Sequence, residues 1–383
     1  MDINKLVDDC ISAVHEKIKS LNTMNVVIVG KTGVGKSTLI NSVFRENLAE
    51  TGIGRPVTKH MRKISKKGMP INIFDTKGFE LGKNAQDEVK EELNKIIEEG
   101  VKSKDVNKTI HCIWYCINAA SNRIEPEEIA WIKRLTEENK IYQVPIIIVL
   151  TQSFSKKHAS ELKRVIENEN LAVVNMIPVL AQDYEIDDEY IVKAYGLDTL
   201  ISVMVEVLPE ELEDTLSNVQ KASLELKIKK SQAAVATAAA TAAGIGATPI
   251  PFADAAVLIP TEITMIASIT AFFGFELSKS VLTSLVTSVV GTTGATILGR
   301  TVVSNLCKLI PGAGSIAGGV ISGATASLMT TALGEAYIGI MIAMFKGEIK
   351  EKDLLTKEGK TKITDLYQEN LRRFKIEKNI NIK

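Results

Sequence analysis

Net charge is the first thing this chain lacks: 46 Lys and Arg residues balance 46 Asp and Glu. A balanced chain has no broad positive field to hold a polyanion, so nucleic acid is not an expected partner. Cysteine is scarce as well. Cys10, Cys112, Cys116 and Cys307 are the 4 present, and their spacing gives neither a disulfide framework nor a zinc pattern. Such use of cysteine fits a reducing compartment, which points to the cytoplasm. Cys112 and Cys116 lie in the apolar, strand-like "TIHCIWYCIN", where core packing is the expected role. A secretory leader is not expected, because "MDINKLVDDCISAVHEKIKSLNT" starts acidic and has no uninterrupted apolar core. Its Ile3, Leu6, Val7, Cys10, Ile11, Val14, Ile18 and Leu21 recur at helical spacing. An amphipathic helix within residues 1–23, packed on the body of the protein, is expected.

What is present starts with "VVIVGKTGVGKSTLIN" at 26–41. Val26 to Val29 form a β-branched run without charge, as in a strand buried on both faces. Gly30 to Ser37 then read G-x-x-x-x-G-K-S, and Thr38 to Asn41 continue as a helix. In a P-loop of this kind the glycines let successive N–H groups converge on one anion, and the helix N-terminus adds its positive end. The nucleotide-binding set expected here is Gly30, Lys31, Thr32, Gly33, Val34, Gly35, Lys36, Ser37 and Thr38. Lys36 is expected on the β- and γ-phosphates and the Ser37 hydroxyl on Mg²⁺.

Strand-like segments at 24–30, 62–66, 70–75, 108–118, 144–151 and 172–180 alternate with helical patterns near 37–45, 83–100, 125–138, 157–169 and 196–208. That alternation predicts an α/β domain over 24–208 with a mostly parallel sheet. Within it, "INIFDTKGFE" ends a strand at Asp75 and gives a D-x-x-G to Gly78. Asp75 is expected in the Mg²⁺ shell and the Gly78 N–H at a γ-phosphate. Thr58, in the loop "TGIGRPVTKH", is expected to join the metal only when that phosphate is present, which makes a switch. Lys36, Thr58, Asp75 and Gly78 are thus the expected catalytic set, and Ser37, Thr58 and Asp75 the metal set.

With "GKTGVGKST", "RPVTKH" and "DTKGFE" in that order, residues 24–208 resemble the translation-factor class of GTPases, in particular its Era-like and septin-like members. The resemblance implies a Ras-like, six-stranded sheet with one antiparallel strand, and GTP with Mg²⁺ as cofactors. It also implies an N/T-K-x-D segment that reads the base. At its place stand Thr151, Gln152, Ser153 and Phe154, so Gln152 replaces the lysine and Phe154 the aspartate. "VLAQD" at 179–183 resembles the family's second base loop, which sets the Ala181 N–H toward guanine O6 with Gln182 beside it. GTP is the favoured nucleotide and ATP the alternative. Phe79 stands where Ras-type enzymes carry a water-orienting glutamine, so slow turnover and a homodimer through the GTPase domains are expected, with Arg55 a candidate to act across the pair.

Residues 209–230 read as a charged helical connector and 346–383 as charged terminal helices. Between them, 231–345 are rich in Ala, Gly, Thr, Ile and Val and predict an all-α domain. The windows 281–299 and 309–334 carry no charge and approach the roughly 20 apolar residues of a membrane span. Against spanning, Gly, Ser and Thr dilute them, and Pro260 and Glu262 interrupt the preceding apolar run. Gly314/Gly318 and Gly319/Gly323 have a spacing that lets helices approach closely in a bilayer. "ATPIPFADAAVLIPTEITMIASITAFFGFELSKS" and "LIPGAGSIAGGVISGATASLMTTALGEA" resemble an Ala/Gly-rich domain of unknown function fused to bacterial Era-like GTPases. The expected function is a GTP-binding switch coupled to a membrane-associated helical domain at the inner face of a membrane. Two alternatives stand beside it: an Era-like ribosome or RNA assembly factor, and a poorly hydrolysing, dynamin- or septin-like scaffold.

Overall fold

The computed structural model describes residues 3–51, 53–58, 60–76, 83–121, 123–245, 253–290 and 323–362, with Asp365 and Glu369. They fall into two compact units, one of Leu21–Ser223 and one of Met1–Ser20 with Leu224–Lys383.

The first unit is built on β1 (Met24–Val29), β2 (Ile53–Pro56), β3 (Met61–Ser65), β4 (Ile71–Thr76), β5 (Cys112–Asn118), β6 (Ile146–Thr151) and β7 (Asn175–Pro178). Their order in the sheet is β2-β3-β4-β1-β5-β6-β7. β1 pairs in parallel with β4 and β5, and β6 in parallel with β5 and β7. β3 runs antiparallel to both of its neighbours. The Ras-like sheet expected from the sequence is therefore present, and the four-residue edge strand β2 extends it to seven. Every residue of β1 and β6 is buried, as helices on both faces require.

The helices of this unit are α2 (Lys36–Val43), α3 (Leu48–Thr51), α4 (Lys83–Ser103), α5 (Pro126–Asn139), α6 (Lys156–Glu167), α7 (Leu197–Val207) and α8 (Glu213–Val219). Local chemistry sets their ends. Pro126 opens α5 with Glu127 and Glu128 in its first turn, where the helix dipole favours negative charge. Ser155 caps α6, its hydroxyl accepting from the His158 N–H at 3.3 Å. Ala159, Leu162 and Ile166 then bury one face of α6 against the sheet core. Cys112 and Cys116 are buried free thiols in β5, each pushed up to about 12 by burial. A two-stranded hairpin, β8 (Tyr184–Glu185) with β9 (Ile191–Val192), follows β7.

The expected connector at 209–230 is not one element. α8 ends at Val219, and Gln220 then closes a tight turn. Its side-chain amide donates to Ser223 O at 2.8 Å and its side-chain oxygen accepts the Ser223 N–H at 2.7 Å. A new helix begins at Leu224.

The second unit joins α1 (Ile3–Ser20) to α9 (Leu224–Ile245), α10 (Ala253–Phe273), α11 (Lys279–Val290) and α12 (Gly323–Phe345). Val7 and Cys10 of α1 share a core with Val235, Met265, Ile269, Leu282, Ala336 and Met341. α10 continues through Pro260 rather than breaking there. Ala326–Phe345 is long and apolar enough to cross a membrane, yet 65 % of it is buried inside the protein. Residues 291–299 and 309–322, with Gly314, Gly318 and Gly319, and half of the terminal segment 346–383 lie outside the described residues.

Candidate nucleotide site

The site forms at the C-terminal ends of β1, β4 and β6, where an open parallel sheet offers its crevice. The loop after β1 depends on glycine. A Cβ on Gly30, at φ +153°, would stand 2.6 Å from the Cys116 carbonyl oxygen, so the backbone can lie this close to β5 only without a side chain. Gly33 and Gly35 also have positive φ, 75° and 93°. The ammonium of buried Lys36 crosses the loop and donates to Gly30 O at 2.8 Å and Lys31 O at 3.0 Å. Burial pushes the Lys36 pKa down, opposed by the nearby Asp75 carboxylate. Ser37 and Thr38 are exposed in the first turn of α2, as is Thr32 in the loop. Lys31 forms an ion pair with buried Glu128 at 2.6 Å, and Glu128 also accepts from the Tyr115 hydroxyl at 3.2 Å.

Asp75 is 5 % exposed at the end of β4. Arg62, its register partner on β3, donates Nε at 3.0 Å and Nη2 at 2.8 Å to the same oxygen, Oδ2. Oδ1 is buried and has no hydrogen-bond partner. An open carboxylate oxygen beside a lysine that retains a spare donor, next to a glycine cradle, fits a phosphate chain with a divalent cation.

Thr58 is not joined to this cradle by any hydrogen bond among the described residues. Its hydroxyl donates to Glu92 of α4 and accepts the Met61 N–H at 3.1 Å. Glu92 also takes the His60 N–H at 3.2 Å, and His60 Nε2 meets Glu88 at 2.7 Å. Gly78 and Phe79 lie outside the described residues, as does the side chain of Arg55.

The two segments expected to face the base lie side by side. Thr151 donates its hydroxyl to Val34 O and Ile117 O. The Gln152 amide donates to Gly33 O at 2.8 Å, so both residues tie the segment to the phosphate loop. The Ser153 N–H reaches Val179 O at 3.2 Å and brings in the Ala181–Gln182 loop. Phe154 rests against Tyr184 of β8, ring centroids 4.2 Å apart.

Residues 25–152 match the family described as 50S ribosome-binding GTPase. The sheet unit is a P-loop GTPase domain. The family match stops at Gln152, within the Thr151–Phe154 segment. Residues 207–375 match a domain of unknown function, DUF697, which takes in most of the helical unit. Septin-9 of Rattus norvegicus is 28 % identical over 149 residues, covering 32 % of this chain and 26 % of septin-9. Cell division control protein 10 of Saccharomyces cerevisiae is 25 % identical over 179 residues, covering 40 % and 55 %. The chain thus spans about a quarter of the one and just over half of the other. Among solved structures, a dimerization-deficient mutant of Toc33 from Arabidopsis thaliana aligns with a TM-score of 0.30 at 18 % identity, over 56 % of this chain and 93 % of that one.

Arg62, Glu88, Glu92, Glu128 and Tyr184 escaped sequence reasoning. A hairpin register about "KKGM" would have set Arg62 opposite Asp75. Glu128 gave no such signal, since its contact with Lys31 spans 97 residues of chain.

Proposed function

We propose that this protein is a GTP-dependent switch that binds GTP, hydrolyses it slowly and passes its nucleotide state to the helical domain. The observation that carries the reading is the pairing of Lys36, bound to Gly30 O and Lys31 O, with the open Oδ1 of Asp75. Ser37, Thr58 and Asp75 would hold Mg²⁺, which neutralises charge on the phosphates. Thr58 and Asp75 now bond Glu92 and Arg62. Exchanging those partners for the metal would move the Thr58–His60 loop and its anchors on α4 together, and this supports a switch. Phe79, in place of a water-orienting glutamine, supports turnover on the order of 10⁻⁴ to 10⁻² per second for the isolated domain. It also supports pairing of two GTPase domains, with Arg55 offered across the pair. Membrane association of the helical domain enters this reading from its apolar composition, because Ala326–Phe345 itself is 65 % buried inside the domain.

Lys36→Ala is the test. Affinity for labelled GTP should fall by at least about 100-fold, because a charge-assisted contact with the phosphates is lost. Unchanged affinity would remove the site from where it is assigned here. The same variant serves as the nucleotide-blind control in vesicle flotation with and without GTP. Flotation that responds to nucleotide only in the wild type separates a membrane switch from an RNA assembly factor.

A further inference from the structure

The two loops that should face the base are joined, yet the residue expected to read the purine 2-position is a phenyl ring. Thr151 and Gln152 anchor the first loop on Val34 O and Gly33 O. Ser153 ties it to the second through Val179 O, and the Tyr195 hydroxyl donates to Ser153 O at 2.9 Å. Phe154 therefore has a fixed place, and Tyr184 packs on it at 4.2 Å. The nearby carboxylate of Asp183 is already engaged. Its Oδ1 accepts the Ala194 N–H at 2.8 Å and its Oδ2 the Lys193 ammonium at 2.8 Å. In the second loop, Val179 N–H goes to Leu150 O and Leu180 N–H to Tyr195 O. The next donor, Ala181 N–H, takes part in none of these backbone bonds.

We propose that this slot selects 6-oxopurine nucleotides through the Ala181 N–H and the Phe154–Tyr184 pair, and does not read position 2 of the ring. The proposal rests on the GTP reading above and specifies its ligand class. A 6-oxo group accepts from the Ala181 N–H, whereas the 6-amino group of adenine sets donor against donor. An aromatic ring offers the base a face to stack on, and that contact does not depend on ring substituents. Guanine carries an amino group at position 2, hypoxanthine a hydrogen and xanthine an oxo group. A carboxylate at position 154 would favour the amino group by about 10- to 100-fold, the worth of a hydrogen bond to a charged group. Phe154 gives no such preference.

The test is displacement of labelled GDP from the full chain by GDP, IDP, XDP and ADP with Mg²⁺ present. GDP, IDP and XDP should compete within about 3-fold of one another, and ADP at least about 10-fold less well. Phe154→Asp should lower XDP competition relative to GDP by at least about 10-fold. The wild-type ratios decide the matter even if that variant fails to fold. A wild-type preference for GDP over IDP of 10-fold or more, at roughly the size of one charge-assisted bond, would show another acceptor at position 2 and overturn the proposal alone. ADP competing as well as GDP would overturn the role of Ala181. Failure of all four to bind would overturn the GTP reading itself.

Discussion

Lys36 in the GTPase domain and Lys227 in the helical domain are both buried, and both donate to two backbone carbonyls. Lys36 is 9 % exposed and Lys227 fully buried. Lys227 reaches Phe272 O at 2.9 Å and Phe273 O at 3.3 Å, with its ammonium 5.6 Å from the Phe345 ring centre. Those carbonyls are the last of α10, groups that a helix leaves unsatisfied and that a cation caps well. Lys227 thus completes a helix end in the core. Lys36 instead spans a glycine loop and faces a carboxylate with an open oxygen. Burial alone did not distinguish the two lysines. Their surroundings did, because a buried charge that closes a local hydrogen-bond account is structural, whereas one beside unmatched polar groups is available to a ligand.

The two domains differ equally in how they pack. The sheet core uses Val, Ile and large rings, with Phe44 stacked on Trp114 at 5.8 Å and Tyr115 tilted against Trp131 at 5.5 Å. The helical core relies on small residues that bring helices close, such as Ala238, Ala332, Ala336 and Ala343. Both tryptophans of the chain belong to the sheet unit, Trp114 on β5 and Trp131 on α5. Tryptophan fluorescence therefore follows one domain, and loss of helical dichroism without it follows the other.

The largest of these effects should come from pH and fall on the sheet. His111 is 5 % exposed, and its Nδ1 accepts the Asn25 N–H at 2.9 Å, which requires that nitrogen to be unprotonated. Burial holds its pKa at about 4, down from 6.5. As pH falls through 6.5 the unfolded chain takes up a proton that the folded chain refuses until about 4. Stability of the GTPase domain should therefore drop by up to about 3 kcal/mol across that window and level off below it. Denaturation followed by tryptophan fluorescence at several pH values checks this. A pH dependence unchanged in His111→Gln would end the assignment.

Lys227→Met should lower stability of the helical domain by about 1–2 kcal/mol. The two α10 carbonyls lose their donor, while the methionine stem keeps most of the packing and removes the cost of a buried charge. The loss should appear in helical dichroism and leave the tryptophan transition in place. A shift in both signals would mean that the two domains unfold as one.

Gly334→Ala should cost less, about 1 kcal/mol. The added Cβ would sit 2.4 Å from Val235 Cγ2 and 3.0 Å from the Met265 sulfur, and valine is stiff at χ1. Overpacking of about 1–3 kcal/mol is partly offset by the better helix propensity of alanine, about 1 kcal/mol. Val235→Ala in the same chain should recover the overpacking part. No recovery would show that Gly334 is constrained by something other than close packing.

Sequence alone determined the phosphate loop, six of the seven sheet strands and the five longer helices of the GTPase domain, but not the short β2, α3 or the β8–β9 hairpin. Strand period, glycine spacing and the G-K-S triplet are local properties, written within a few residues of one another. The split of the 209–230 segment was less legible, because the Gln220–Ser223 turn depends on a side chain folding back on its own backbone. Only the tertiary structure decided that α1 belongs with the helices after Leu224. The same holds for the Arg62 pair on Asp75, the hold of Glu92 on Thr58, and the meeting of Phe154 with Tyr184. Each joins residues separated in sequence, and which polar group satisfies another is settled when packed elements bring them within hydrogen-bond or van der Waals range.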